Sequence, residues 1–213
     1  MVNRSEILEE FFIDLQRSLG DLIRASWRKI ELKEVESIAA VDVAYNDDLA
    51  SAAAVSWSLR EDMPTDEEYF VCEAAYPYVP GLLFLREAPI MLRAVKLLDP
   101  GWQILLVDAH GLLHPRRMGL AVFLGLALNK PTLGVAKSLL VGSEREGRVF
   151  GEVEVSGEVL GYWFKPERGR KFYASPGYMI DVNQVPKIIE MLGPGYPKPL
   201  DYADKLSREH LKR

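Results

Sequence analysis

The sequence predicts an α/β fold in which a mixed β-sheet is flanked by helices on both faces. Two short apolar runs, WQILLVD at 102–108 and PTLGVAK at 131–137, are typical of strands buried on both faces and alternate with helix-forming segments. Alternating runs at 37–59 and 148–165 predict two β-hairpins, which add antiparallel strands to the sheet. Because the 213 residues contain no repeat, low-complexity tract or linker, we expect a single domain over 1–213.

The first half of the chain predicts a helix, a hairpin and a helix. An amphipathic helix is expected over about 1–19, followed by a hairpin at 37–59 that turns at NDD. A third strand is expected at 68–76, after a polar loop at 63–68. YPYVPG at 76–81 contains two prolines and a glycine, which interrupt regular structure. A helix then follows to residue 98, beginning near Arg86 because Pro89 fits only in a first turn.

The second half alternates strands and helices. The strand at 102–108 precedes a helix over 116–128, which we expect Arg116 and Arg117 to open, so that its N-terminus could favour a phosphate. The strand at 131–137, the hairpin turning at SG and a strand at 171–177 come next. Further helices are expected from about Val182 and from about Leu200. This order of parallel and antiparallel connections predicts the mixed sheet.

Composition excludes some classes of function and leaves others open. The net charge of −5 does not predict a nucleic-acid partner, so binding would need a local basic patch. HPRR at 114–117 and FKPERGRK at 164–171 are candidates, although each alone is more typical of a solvated loop. The single cysteine, Cys72, excludes an intrachain disulfide and is typical of a small buried residue. The longest apolar stretch, at 119–128, is too short to span a bilayer, and no signal peptide is evident. We expect a soluble cytoplasmic protein without membrane association.

Two aspartates interrupt strands that otherwise predict a buried core. Asp42 shares a strand face with Ile38 and Ala40, and Asp108 ends the apolar run at 102–108. An ionised carboxylate is costly to bury without a partner. One such aspartate is most often found at a strand edge or capped by backbone N–H groups. Two of them favour a shared divalent cation, and their oxygen atoms suit Mg²⁺, with Mn²⁺ as a substitute.

Four further residues are candidates for the same site. Glu87 lies on the apolar side of its helix, although a glutamate in a first turn is also favoured by the helix dipole. His114 precedes a proline and is placed to project beside Asp108; a solvated loop histidine is the alternative. Lys137 ends its strand and could supply charge to an oxyanion, or could extend into solvent. Asp204 is a weaker candidate, because an aspartate in a C-terminal helix is usually solvated.

These residue types together suit metal-assisted hydrolysis of a phosphodiester. Carboxylates would hold the cation, the cation would activate water and neutralise phosphate charge, and histidine or lysine would handle protons and charge. The spacing of the residues leaves the substrate open.

Five blocks of the sequence resemble, in order, the signature motifs of endonuclease V, the deoxyinosine 3′ endonuclease family. They are VDVAY, YPYVPGLLFLRE, VDAHGLLHPRRMGLA, PTLGVAK and SPGY, within about 36–180, and a fainter similarity continues to ADKLSRE. The resemblance implies an RNase H-like fold. It also implies Mg²⁺-dependent cutting of the second phosphodiester bond 3′ to hypoxanthine in DNA, leaving a 3′ hydroxyl and a 5′ phosphate.

The resemblance also implies roles for individual residues. Asp42 and Asp108 match the metal ligands, Glu87 the third active-site carboxylate, and His114 and Lys137 the catalytic pair near the scissile phosphate. Tyr78 matches a wedge that fills the gap left by an extruded base; its rigid setting between Pro77 and Pro80 suits that role. The remaining matched positions are Leu83, Gly111, Gly119 and Ala136 for the hypoxanthine pocket and, through the faint tail only, Asp204.

Two positions depart from the family pattern, and two other functions stay open. Ala109 stands where the family commonly has glycine, and Tyr178 stands where the late motif commonly has histidine, so no role is assigned to Tyr178. DNA containing deoxyinosine is the expected partner of a monomeric enzyme. One alternative is an inosine-specific ribonuclease, because nothing in the sequence shows how a 2′ hydroxyl would be treated. The other is a non-catalytic nucleic-acid-binding module of the same fold.

Overall fold

A nine-stranded mixed β-sheet forms the centre of the computed structural model, which describes residues 4–26, 30–167 and 169–211. The strands are β1 (Ser37–Asn46), β2 (Leu49–Ser58), β3 (Met63–Glu73), β4 (Ile104–Val107), β5 (Thr132–Ala136), β6 (Ser143–Glu144), β7 (Phe150–Val155), β8 (Glu158–Phe164) and β9 (Phe172–Tyr178). Their order across the sheet is β3-β2-β1-β4-β5-β9-β8-β7-β6. Strand β4 pairs in parallel with β1 and with β5, and the other pairs are antiparallel.

Helices cover both faces of the sheet, as the sequence predicts. They are α1 (Arg4–Ser26), α2 (Leu83–Val95), α3 (Leu120–Leu128), α4 (Val185–Met191) and α5 (Lys198–Glu209), with short 3₁₀ turns at Leu32–Glu34 and Val182–Gln184. On one face, Ala39, Val41 and Val107 pack against α2 and α3. On the other face, Ile38, Ala40 and Leu106 pack against α4 and α5. This alternation along β1 and β4 follows from the two-residue period of a strand.

The predicted loop before the third strand is wrong, because residues 63–68 belong to β3. Strand β3 lies at the edge of the sheet and pairs only with β2 among the described strands. Its residues alternate between exposed and half-buried, so an edge position allows the polar stretch that favoured a loop. Pro64 is also tolerated there, since an edge strand has unpaired backbone groups.

Two predicted helix starts are also wrong. Helix α2 begins at Leu83, which leaves Pro89 inside the helix rather than in its first turn. The carbonyl of Leu85 therefore loses a helical hydrogen bond, and burial of Phe84 in the core offsets part of that cost. Helix α3 begins at Leu120 with Gly119 as its N-cap, so Arg116 and Arg117 lie in the preceding loop and do not open the helix.

No helix among the described residues is both long and apolar enough to cross a membrane.

Candidate active site

Three carboxylates converge where β1, β4 and α5 meet. The parallel register pairs Val41 with Val107, and the amide of Asp108 donates to the carbonyl of Val41 at 3.2 Å, so Asp108 lies beside Asp42. Helix α5 packs against β1 and brings Asp204 to the same point. One oxygen atom from each of the three carboxylates lies within 4.8 Å of the others. Asp42 is only 6% exposed, so this cluster is built into the core of the molecule.

The electrostatics of the cluster are those of a site short of positive charge. Burial and the nearby charge of Asp108 raise the pKa of Asp42 well above its usual range, although Lys137 acts in the opposite direction. The pKa of Asp204 is lowered, because hydrogen bonds from Arg208 and Asp42 outweigh the effect of burial. Burial and mutual repulsion therefore disfavour the ionised form of Asp42. Hard oxygen donors at this spacing fit a divalent cation such as Mg²⁺ or Mn²⁺.

The side chain of Lys137 holds one of the two carboxylate oxygen atoms of Asp108. Lys137, which follows β5, places its Nζ 2.6 Å from Oδ2 of Asp108 and 3.8 Å from Oδ1 of Asp204. Burial disfavours the ammonium form, yet the hydrogen bond to Asp108 and the three nearby carboxylates raise the pKa of Lys137. Lys137 is thus a fixed positive charge beside the carboxylate cluster.

Tyr196 was not identified from the sequence. Its hydroxyl donates to Oδ1 of Asp108 at 3.2 Å, and its ring packs edge-on against Phe172. Burial and the charges of Asp108 and Asp42 raise the pKa of the phenol far above its usual range, so the hydroxyl stays a hydrogen-bond donor. Tyr196 precedes α5 in a loop rich in glycine and proline, and no periodic pattern marks it as a site residue.

Glu87 lies near the three carboxylates but outside their cluster. The hydroxyl of Tyr45 donates to its Oε1 at 3.3 Å, and Arg86 lies 4.3 Å from the centre of the Tyr45 ring. Burial raises the pKa of Glu87 to about 7, with a further contribution from the charge of Asp108 and an opposing one from the Tyr45 hydrogen bond. The carboxyl can therefore exchange a proton near neutral pH.

The structure buries His114 instead of leaving it solvated. Its Nδ1 accepts a hydrogen bond from the amide of Arg116, and its Nε2 lies 3.2 Å from the carbonyl of Gly81. This pattern assigns the neutral tautomer with hydrogen on Nε2. Burial and the charge of Arg116 lower the pKa of His114 to about 4.

His110 was overlooked in the sequence, although it follows Asp108 by two residues. Its ring Nε2 lies 2.9 Å from the carbonyl of Ser138. Burial lowers the pKa of His110, while the Ser138 carbonyl and the charge of Asp108 act in the opposite direction. His110 is therefore electrostatically coupled to Asp108.

A cavity of about 270 Å³ is lined by the loops that carry the two histidines. Tyr78, with 66% of its surface exposed, lines this cavity. Four other residues that the sequence predicts to belong to the site also line it: Leu83, Gly119, Ala136 and His114. Ala109 lines the same cavity. Gly111 does not line the cavity: it packs against β9, where an added Cβ would lie 2.0 Å from the carbonyl oxygen of Pro176.

The basic segments singled out in the sequence are largely engaged within the protein. Arg116 bonds to Gln16 and to the carbonyl of Gly81, and Arg117 pairs with Glu158. Lys171 pairs with Glu144. Arg168, within the second segment, lies outside the described residues.

Sequence comparisons identify related proteins along almost the whole chain. The family model described as Endonuclease V matches residues 23–205. An endonuclease V of Saccharolobus islandicus is 39% identical over 205 residues, which cover 96% of this chain and 97% of that protein. An endonuclease V of Sulfolobus acidocaldarius is 34% identical over 208 residues and is covered in full, with 97% of this chain.

Solved structures show the same architecture. An endonuclease V from Streptomyces avermitilis matches with a TM-score of 0.82 and 29% identity, over 93% of this chain and 92% of that one. An endonuclease V from Ciona intestinalis matches with a TM-score of 0.86 and 25% identity, over 99% of each chain. The Ciona protein was crystallised with a 24-mer DNA that contains an inosine followed by a ribo-adenosine.

Proposed function

The chain belongs to the endonuclease V family, and from that premise we propose that it is a Mg²⁺-dependent endonuclease acting on DNA that contains deoxyinosine. The bond hydrolysed is the second phosphodiester 3′ to the lesion, and the products carry a 3′ hydroxyl and a 5′ phosphate. The observation that carries the proposal is the cluster of Asp42, Asp108 and Asp204 beside Lys137. Metal-dependent hydrolysis of a phosphodiester uses oxygen ligands for the cation, and a fixed positive charge stabilises the charge that develops on the phosphate.

Asp42, Asp108 and Asp204 are the residues that would hold the cation. Their oxygen atoms lie close enough to share one ion, and a cation would offset both causes of the raised pKa of Asp42, which are burial and the nearby charge of Asp108. When bound, Mg²⁺ would supply a Lewis acid for the phosphate and lower the pKa of a water molecule. The sequence placed Asp204 as a weaker candidate than Asp42 and Asp108, and the proximity of all three supports including it.

The neighbouring side chains have distinct parts in the proposed reaction. Lys137 stays protonated and offers positive charge to a phosphate held near Asp108. Glu87, whose pKa is raised to about 7, can take a proton from water at neutral pH. His114 is neutral and hydrogen-bonded through both ring nitrogens, so it contributes by holding the Gly81 loop.

Base recognition falls to the cavity beside the carboxylates. Its volume of about 270 Å³ and its lining by Leu83, Gly119 and Ala136 suit a flat base removed from the stack. Tyr78 is exposed next to it and can occupy the space that an extruded base leaves. Gly111 then contributes through close backbone packing behind the pocket rather than by direct contact.

An inosine-specific ribonuclease is the second candidate function. The observation in its favour is that the Ciona relative was crystallised with a ribonucleotide directly after the inosine. A site that accepts a 2′ hydroxyl at that position could also cut RNA.

Cleavage of matched labelled strands separates these functions. One DNA strand carries a single deoxyinosine, one RNA strand carries inosine in the same sequence, and both are incubated with and without Mg²⁺. We expect a single metal-dependent cut in the DNA, one nucleotide beyond the lesion.

Faster cutting of the RNA than of the DNA would favour the ribonuclease. Binding without cutting of either strand would instead indicate a non-catalytic module, which the intact carboxylate cluster argues against. Sedimentation of the same protein tests whether it is a monomer.

A further inference from the structure

Helix α1 carries a buried amide that reaches the cavity beside the active site. Gln16 is only 1% exposed, and its Nε2 donates to the carbonyls of Met118 and Gly81 at 2.9 and 3.2 Å. Its Oε1 accepts a hydrogen bond from Nε of Arg116 at 2.6 Å. Gln16 therefore joins α1 to two loops that line the cavity of about 270 Å³.

The loop that presents Tyr78 is anchored at Gly81. The amide of Leu82 donates to the carbonyl of Val79, and Gly81 has a φ of +80°, as expected of a type II turn with Pro80 before the glycine. The carbonyl of Gly81 accepts three hydrogen bonds: from Nη2 of Arg116 at 2.6 Å, and from Nε2 of Gln16 and Nε2 of His114 at 3.2 Å each. The φ of +80° favours glycine here, and a Cβ at Gly81 would also lie 2.6 Å from Nη2 of Arg116, which would have to move.

Loss of the Gln16 amide would remove a hydrogen bond from three partners, of which the Gly81 carbonyl alone keeps other donors named above, Arg116 and His114. The guanidinium of Arg116 and the carbonyls of Gly81 and Met118 all lie in a part-buried or buried setting. An unsatisfied polar group in such a setting costs more than a solvated one. With one of its three donors removed, the Gly81 turn would be held less firmly, and so would the loop that presents Tyr78 three residues earlier.

We propose that Gln16 is a positioning residue that fixes the Tyr78 loop against the 110–119 loop and thereby sets discrimination for hypoxanthine. The inference rests on the proposed function, because it assigns Tyr78 to the space left by an extruded base. It extends the base-recognition site to helix α1 at a position outside the residues 23–205 matched by the family model.

Hydrogen exchange tests the anchor without reference to activity. In Gln16→Leu, amides of residues 78–82 and 116–119 are expected to exchange faster than in the unchanged protein. Ser18→Ala, on the exposed side of the same helix, is the matched control and should leave them unchanged. Gln16→Glu keeps the acceptor for Arg116 but loses both donated hydrogen bonds, and the melting temperatures of the two Gln16 variants show whether either has a folding defect. Unchanged exchange in both Gln16 variants would overturn the proposal.

Binding of strands with deoxyinosine or deoxyadenosine at one position tests discrimination. Gln16→Leu is expected to lower the preference for deoxyinosine about tenfold, the effect of about 1.4 kcal/mol, within the cost of buried polar groups left unpaired. In a Tyr78→Ala background the same substitution should have no further effect, because the loop then presents no ring. Additive losses would show that Gln16 acts by general destabilisation and would overturn the proposal. If the unchanged protein shows no preference at all, the proposed function fails, and the exchange data alone then decide whether Gln16 anchors the loop.

Discussion

The hydroxyl of Tyr196 donates a hydrogen bond to Oδ1 of Asp108 at 3.2 Å, while Lys137 holds the other carboxylate oxygen. The two contacts fix the orientation of Asp108 toward Asp42 and Asp204. Because Tyr196 precedes Pro197, the N-cap of α5, this hydrogen bond links Asp108 to the start of the helix that carries Asp204.

Tyr196→Phe should therefore weaken metal binding while keeping the edge-on packing on Phe172. We expect about a tenfold loss of Mn²⁺ affinity, the lower end of what loss of a partner to a metal ligand costs. Electron paramagnetic resonance of Mn²⁺ titrated into the protein measures this without substrate. An unchanged affinity, with an unchanged melting temperature, would show that Tyr196 does not orient Asp108.

Asp204→Asn should reduce both Mn²⁺ binding and cleavage. The substitution removes the negative charge that the cluster of Asp42, Asp108 and Asp204 offers to a cation, and we expect about a hundredfold slower cleavage, equivalent to about 3 kcal/mol. Asp201→Asn is the matched control, because Asp201 lies one turn earlier on α5 and outside the cluster. Cleavage by Asp204→Asn at the rate of the unchanged protein would exclude Asp204 from the site.

The raised pKa of Glu87 predicts a pH dependence of stability in metal-free protein. With a pKa of about 7 instead of 4.5, folded Glu87 keeps a proton that the unfolded chain releases. The folded state binds more protons across this window, so stability should fall as the pH rises from 4.5 through 7. Glu87→Gln removes this dependence. The difference in melting temperature, unchanged protein minus variant, should decrease from pH 5 to pH 8 in EDTA.

His114 contributes with the opposite sign, because its pKa is lowered to about 4 and the unfolded chain takes up a proton first as the pH falls. That contribution is common to both proteins and cancels in the difference. A difference that stays constant from pH 5 to pH 8 would contradict the assignment to Glu87.

The same lowered pKa makes a separate prediction about His114 itself. Its ring should stay neutral, with hydrogen on Nε2, as the pH falls from 8 to about 5, since burial disfavours the imidazolium form. Nitrogen chemical shifts of the ring, followed by NMR through a pH titration, report this directly. Protonation near pH 6.5 would mean that the ring is exposed and free to exchange protons.

The sequence contained enough information to locate Asp42 and Asp108. Each interrupts or ends an apolar strand, and neighbouring strands bring such positions together at one edge of a sheet. Asp204 could be placed only through a faint resemblance, because an aspartate on the polar side of a C-terminal helix is ordinary. Its place in the cluster depends on how α5 packs against β1, which is a tertiary contact.

Other features depended on contacts that local patterns do not specify. The polar stretch in strand β3 is allowed by its position at the edge of the sheet. Pro89 lies inside α2 because the helix begins at Leu83, where burial of Phe84 offsets part of the cost of the proline. Gln16 did leave a signal, since it shares the apolar side of α1 with Phe12, Leu19 and Ile23. A buried amide at such a position must find hydrogen-bond partners. The sequence does not show that these partners are the carbonyls of Gly81 and Met118, because they lie far away along the chain.

The most direct test of the central claim compares Asp108→Ala with the unchanged protein on duplex DNA carrying one deoxyinosine, with and without Mg²⁺. Asp99→Ala, in the exposed turn before β4, is the matched control. We predict one Mg²⁺-dependent cut at the second phosphodiester 3′ to the lesion in the unchanged and Asp99→Ala proteins, and none in Asp108→Ala, which should still bind the DNA. Full cutting by Asp108→Ala would contradict the assignment of the metal site, and an absence of cutting by the unchanged protein would contradict the proposed activity on DNA.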